Sequence, residues 1–218
     1  MAPRTTSYRS YDGPRTNDPA RTMSDIIAVA TREFAHKGLS GARIDEIAAL
    51  TQTSKRMIYY YYGSKEGLYV AVLEDAYART RSAESSLHLD DVEPAIALKK
   101  LVSFSIDYKL ANPDFVRLVM TENIHGAAYL RLSKTATHMN TPAIDLLKRI
   151  YDRGVASGDF RPGIEAFDLH MAISALSLYN VSNRPTIEVI FNRDIMDKKE
   201  VDRLRRNCIE MLLRFVQK

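Results

Sequence analysis

Lys55 and Arg56 stand side by side after Ser54 and ahead of Met57, Ile58 and four consecutive tyrosines, Tyr59 to Tyr62. Cationic side chains donate hydrogen bonds to guanine O6 and N7, and a tyrosine ring packs on a thymine methyl, so Lys55, Arg56 and Tyr59 are candidate readers of base edges. Hydroxyls and cations at helix ends meet phosphate oxygens, which makes Arg43, Tyr60 and Lys65 candidates for fixing the protein on a nucleic-acid backbone. Ser54, at the head of the run, is placed to cap the helix that carries these side chains and belongs to the same candidate surface. Ile58 and Tyr62 are expected to fill a small core, with a phosphate contact as the second reading of Tyr62.

Bond-making chemistry finds no comparable constellation. His36, His88, His125, His138 and His170 are scattered without HExxH or another metal-ligand spacing, and neither a glycine-rich phosphate loop nor a GxSxG turn is present. Cys208 is the only cysteine, so no internal disulfide and no multi-cysteine metal site can form. The expectation is a protein that is not an enzyme and uses no cofactor and no metal.

The elements that must position the candidate residues are short. Ile44, Ile47 and Ala48 share a helical face, Thr51-Gln52-Thr53 makes a turn, and Ser54 opens the next helix. Two short helices, the second starting with cations and ending with aromatics, fit a helix-turn-helix. Ahead of them a helix from Thr22 carries Ile26, Ile27, Ala30 and Phe34 inward and stops at Gly38. Behind them Ser64 caps a long helix with Leu68, Val72, Leu73 and Ala76 inward, whose first amides and Lys65 make a phosphate site. Residues 1–21, with Pro3, Gly13, Pro14 and Pro19, read as a mobile arm whose Arg4, Arg9, Arg15 and Arg21 could reach a minor groove.

This order of motifs, a helix ending in KG, then IDEIA, then SKRMIYYYYGSKEGLYVAVL, resembles the DNA-binding domain of the TetR (tetracycline-repressor-like) family over about residues 22–73. Two places depart from the family pattern. Its turn commonly reads Ala-Gly-Val, so Gln52 must take the glycine position at some strain, and its usual Thr near the second helix is replaced by Ala42-Arg43. The resemblance implies a repressor that binds a pseudo-palindromic operator in double-stranded DNA as a homodimer and is released by a small-molecule effector. An activator or dual regulator on the same fold, and an architectural DNA-binding protein without effector, are the alternative readings.

The second half reads as a helical ligand-binding and dimerisation domain. A polar connection at 83–93 precedes Pro94, which opens a helix to Ala111; Asn112-Pro113 starts another with Phe115, Leu118, Val119 and Glu122 in register. Residues 126–140 suit a short helix or a loop, a helix runs from Thr141 to Gly158, and the stretch after Glu165 is apolar nearly all round. Candidate effector residues on inward faces are Tyr108, Met120, Asn123 and His125, together with Met171, Ser174, Leu178 and Tyr179, and their chemistry favours an apolar or aromatic effector. In the last helix Val201, Leu204, Cys208, Met211 and Phe215 recur at steps of three and four, a face that a single globular core could use, with Cys208 a core or interface hydrophobe. Together with the apolar helix before it, and as the resemblance implies, the preferred reading is a dimer interface in a four-helix bundle.

The fold expected is therefore all-α: an arm at 1–21, a three-helix helix-turn-helix domain at 22–70, and a helical domain at 71–218 joined to it by the long helix. Residues 1–69 hold ten Lys or Arg against seven Asp or Glu, whereas the rest holds 21 against 20, so the excess within the net charge of +4 sits where a polyanion would bind. No apolar run approaches the roughly 18 residues of a membrane span and no signal-peptide core is present, so no membrane association and a cytoplasmic location are expected.

Overall fold

The computed structural model describes residues 18–218 of the 218-residue chain. The N-cap and N1 pair Asp18-Pro19 starts the first helix, α1 (Pro19–Gly41), where the Asp18 carboxylate accepts from the Arg21 amide at 3.1 Å. The helix thus begins three residues before Thr22, and Arg21 lies in its first turn rather than in an arm. Arg4, Arg9 and Arg15 fall outside the described residues. Gly38 interrupts α1 with φ 68°, ψ 173°, so the stop signal produces a kink and one further turn follows it.

Next come α2 (Ile44–Leu50) and α3 (Lys55–Tyr62), then the long α4 (Lys65–Ser85). Pro94 opens α5 (Pro94–Ala111), and Pro113 opens α6 (Pro113–Ile124), because a missing N–H costs nothing in a first helical turn. Two single 3-10 turns, Leu130–Leu132 and Ala136–His138, occupy the ambiguous stretch. The chain continues through α7 (Thr141–Ser157), closed by Gly158 at φ 85°, then α8 (Ala166–Ser182), α9 (Arg184–Phe191) and α10 (Lys198–Val216). Among the described residues there are ten α-helices and no strand beyond an isolated bridge between Phe160 and Gln217.

Two cores result. The first gathers Ile26, Ala30, Phe34, Ile47, Ile58 and Leu68, with Phe34 meeting Tyr69 edge-on at 5.1 Å. Leu118 of α6 also belongs to it, so the first core already includes an element of the second half. The second core gathers Leu98, Leu101, Ile106, Leu147, Ile150 and Phe160 from α5, α7 and the loop that follows α7. Helix α4 contributes to the first core with its N-terminal half and packs against α5 and α7 further on, which makes it the rigid connection between the two. The stretch after α4 is pinned as well: Leu89 is buried, and Asp90 accepts from Arg149 Nε of α7 at 2.9 Å.

Candidate nucleic-acid interface

Helix α3 presents two faces. Ile58 is 0% exposed in the first core, and Tyr62 is half-buried with its hydroxyl donating to the Met23 carbonyl of α1 at 3.1 Å. Burial pushes the Tyr62 phenol above its usual pKa, which keeps it a neutral donor. On the other face Tyr60 is 77% exposed, Tyr59 is 44% exposed, and Arg56 is open to solvent. This division follows from helical spacing, since Ile58 and Tyr62 lie four residues apart on the inner stripe.

The start of α3 is fixed by the Ser54 hydroxyl, which accepts from the Met57 amide at 3.2 Å. The turn before it puts Gln52 at φ 50°, a left-handed conformation that an L-residue adopts at a cost, in place of glycine. Arg43 precedes α2 with its guanidinium 3.7 Å from Asp45, and Lys65 donates to the Ser40 carbonyl at 3.4 Å. Arg43, Ser54, Lys55, Arg56, Tyr59, Tyr60 and Lys65 are all solvent-accessible, and all but Lys65 are on α2, α3 or the residues that cap them.

One acidic residue on this face was not foreseen from sequence. Asp45, in the first turn of α2, pairs with Lys55 and lies near Arg43, so both candidate contacts share a carboxylate. Glu46 turns the other way and pairs with Lys37 of α1 at 2.7 Å; the bond holds the Glu46 carboxyl below its usual pKa and fastens α2 to α1. The sequence signal was the pair of acids at a helix N-terminus, which the macrodipole favours for stability alone.

The effector candidates differ in exposure. Asn123 and His125 are exposed at the end of α6 and bond back to Val119 and Thr121 carbonyls at 2.9 and 2.8 Å, as helix-end caps. Met171 and Tyr179 lie on the outer face of α8 beside exposed Phe167, because a helix that is apolar all round here shows one side to the core and the opposite side outward. Tyr108, Met120, Ser174 and Leu178 are half-buried, and Tyr108 packs on Phe104 and Phe115 at 5.4 and 6.2 Å. None of the eight lines the cleft of about 760 Å³ bordered by α1, α3 and α4.

That cleft, about 760 Å³, lies where the two halves meet. Met23 and Ile27 of α1, Tyr62 of α3, Ala78 and Arg81 of α4, and Met139 before α7 are among its walls. Glu74 of α4 faces it and accepts from Ser133 and Thr135 hydroxyls at 2.6 and 3.0 Å, tying the connecting segment to α4. Sequence periodicity placed Met23 and Ile27 on a helix but could not pair them with Met139, more than a hundred positions away.

The last helix also needs correction. Cys208 is 1% exposed inside the second core, and burial raises its thiol pKa, so it cannot contribute to a surface. Met211 and Phe215 are exposed, whereas Val201 and Leu204 are half-buried with Leu204 against the core. The stripe read as one seam is split by the curvature of the core: one edge packs inward, the other outward. No described group of His, Cys, Asp and Glu could hold a metal ion, and no described helix is long and apolar enough to cross a membrane.

Comparison with known proteins bears on both halves. Residues 26–72 match the family described as bacterial regulatory proteins, tetR family, and residues 94–212 match the tetracyclin repressor-like C-terminal domain. The chain is 37% identical over 187 residues to the HTH-type transcriptional repressor NicS of Pseudomonas putida, covering 86% of this chain and 88% of that protein. It is 26% identical over 202 residues to the HTH-type transcriptional regulator RutR of Escherichia coli, covering 91% and 93%. A bacterial regulatory protein in the tetR family from Rhodococcus shares the fold at a TM-score of 0.69 with 21% identity, over 90% of this chain and 97% of that one.

Proposed function

The chain belongs to the TetR family of bacterial regulatory proteins and is a DNA-binding transcriptional repressor, and we propose that it works as a homodimer which a small effector releases from its operator. The observation that carries the reading is α3: its inner stripe is locked by Ile58 and Tyr62 while Arg56, Tyr59 and Tyr60 face solvent together. In this reading Arg56 and Tyr59 address base edges, Lys55 joins them once DNA displaces Asp45 as its partner, and Arg43, Tyr60 and Lys65 hold phosphates. Surface ion pairs are worth only about 0–1 kcal/mol, so the Asp45 pair is no obstacle to DNA.

The apolar outer face of α8, with Phe167, Met171 and Tyr179, and that of α10, with Met211 and Phe215, support a two-fold four-helix interface. Such a dimer sets two α3 helices into half-sites about one DNA turn apart. The release step runs through α4, which follows α3 after only Gly63 and Ser64 and also borders the cleft. An effector that binds the DNA-incompetent arrangement more tightly shifts the population toward it, and one without that preference shifts nothing. The repressor acts in the cytoplasm, where the DNA lies.

Fluorescence anisotropy on a duplex selected from a random library tests the reading. Arg56→Ala is expected to lose about 10- to 100-fold in affinity for that duplex while remaining folded, the range set by one bidentate base contact. Unchanged affinity would remove α3 from the interface.

A further inference from the structure

The cleft ends at Arg81, and the charges around that residue do not balance. Arg81 is largely buried, gives one N–H to the Glu84 carboxylate, and keeps Nε enclosed without an acceptor among the described residues. Deeper in, Lys109 of α5 donates to the Ser105 carbonyl at 3.2 Å, a neutral partner. His170 of α8 lies within the field of both cations, and burial with that field holds its pKa down, so it stays neutral and supplies no counter-charge. Two cations therefore share the single carboxylate of Glu84. Glu122 does not relieve them: it accepts from the Leu130 amide at 2.9 Å and faces the Tyr69 hydroxyl. Burial and then the repulsion of Arg81 bring Lys109 down to about 8, the shared Glu84 carboxylate offsetting only part of the two.

The other end of the cleft has the opposite sign. Glu74 and Asp75 lie seven and six residues before Arg81 on α4, about 10.5 and 9 Å along the helix at 1.5 Å per residue. Asp75 is paired with Arg79 at 2.7 Å, and Glu74 is held by hydroxyls only. Between the two ends the wall is Met23, Ile27, Ala78 and Met139. A site of this polarity accepts one anionic group at Arg81, an apolar body along α4, and hydrogen-bond donors rather than a second carboxylate at Glu74. Its volume of about 760 Å³ suits a compact organic molecule.

We propose that the effector is a mono-anionic organic acid, with its carboxylate taken by Arg81 backed by Lys109 and its apolar or aromatic body lying between α1, α4 and Met139. This rests on the effector-released reading above and gives that effector a chemical class. It narrows the expectation from sequence, which favoured an apolar molecule and did not foresee buried cations. Because Tyr62 at the end of α3 walls the same cleft, the bound acid touches the recognition helix as well as α4.

The test is the thermal midpoint of the full-length protein with four probes at millimolar concentration: benzoate, phenylacetate and their neutral amides, benzamide and phenylacetamide. At least one acid is expected to raise the midpoint by a few degrees while its amide does not, since a ligand bound only to the native state stabilises it by mass action. The shift should vanish in Arg81→Met. Lys109→Met should lose most of the shift and, by removing an uncompensated buried cation, match or exceed the wild type in midpoint without probe. Amides acting as well as acids, an acid shift that survives both substitutions, or no acid shift at all would overturn the proposal. If Arg81→Met fails to give the wild-type circular dichroism spectrum, Lys109→Met alone decides. Anisotropy on the selected duplex separates the two readings: intact DNA binding with no response to acids ends this inference alone, whereas absent DNA binding ends the regulator reading whatever the probes do.

Discussion

At the scale of single residues, α3 sorts its side chains by helical register, turning Ile58 into the first core and leaving Tyr59 and Tyr60 in solvent. Ser54 as a cap, Ile58 and Tyr62 inward, and Tyr59 and Tyr60 outward all follow from spacing of three and four, and each is seen in α3. Asp45 was not legible, because the acid that neutralises Lys55 comes from another helix and only the turn geometry brings it near. It carries a prediction: Asp45→Asn removes one negative charge from the DNA-facing side. The variant should bind non-operator duplex several-fold more tightly at low salt, with the gain fading as salt rises, as anisotropy titrations at several ionic strengths would show. Lys109 carries another. Its folded pKa of about 8 lies below the unfolded value near 10.5, so the charged form is disfavoured by folding. The penalty is present at low pH, shrinks as pH rises through about 8, and is gone above 10.5; a gap of this size corresponds to something on the order of 3 kcal/mol. Chemical denaturation at pH 7 and pH 10 should therefore show wild-type stability gaining relative to Lys109→Met at the higher pH. A parallel pair of curves would mean that Lys109 is not buried as a cation.

At the scale of elements, helix starts were the most readable features, since Pro94, Pro113, Ser54 and Ser64 mark them by backbone chemistry alone. The junction of α3 and α4 depends on Gly67, where an added Cβ would strike the Tyr62 carbonyl oxygen. Gly67→Ala is expected to open this junction and weaken operator binding more than tenfold, a loss that 1.4 kcal/mol of misplacement energy would produce. The second core should keep its cooperative unfolding transition in that variant; if DNA affinity is unaffected, the α3–α4 angle does not set recognition. The cleft was the least readable feature. Inward faces of α5, α6 and α8 could be listed from periodicity, but the cleft arises between α1, α4 and the segment before α7, and a stripe pattern carries no information on which distant helices leave space between them. The same lack of long-range information turned the α8 residues Met171 and Tyr179 from supposed cleft walls into an outer face.

At the scale of the whole molecule, two halves with separate cores share α4, and the exposed apolar sides of α8 and α10 give the molecule a surface that a lone chain would leave in water. Met171→Asp combined with Phe215→Asp should convert a dimer to a monomer in light scattering and remove high-affinity operator binding, since single half-sites bind weakly; a dimer that persists would place the interface elsewhere. The family and the fold class were within reach of sequence because several short motifs recur in order, whereas the division of the last helix between core and surface was not, as Cys208 and Met211 lie on one stripe yet on opposite sides of the packing boundary. In the proposed dimer two copies of α3 read DNA together. The most direct measurement is selection of bound sequences from a random duplex library by the full-length protein, followed by sequencing. The expected result is a two-fold symmetric motif with half-site centres about 10 base pairs apart, whose specificity Arg56→Ala relaxes at one position in each half. A motif without symmetry, or one that Arg56→Ala leaves intact, would contradict it.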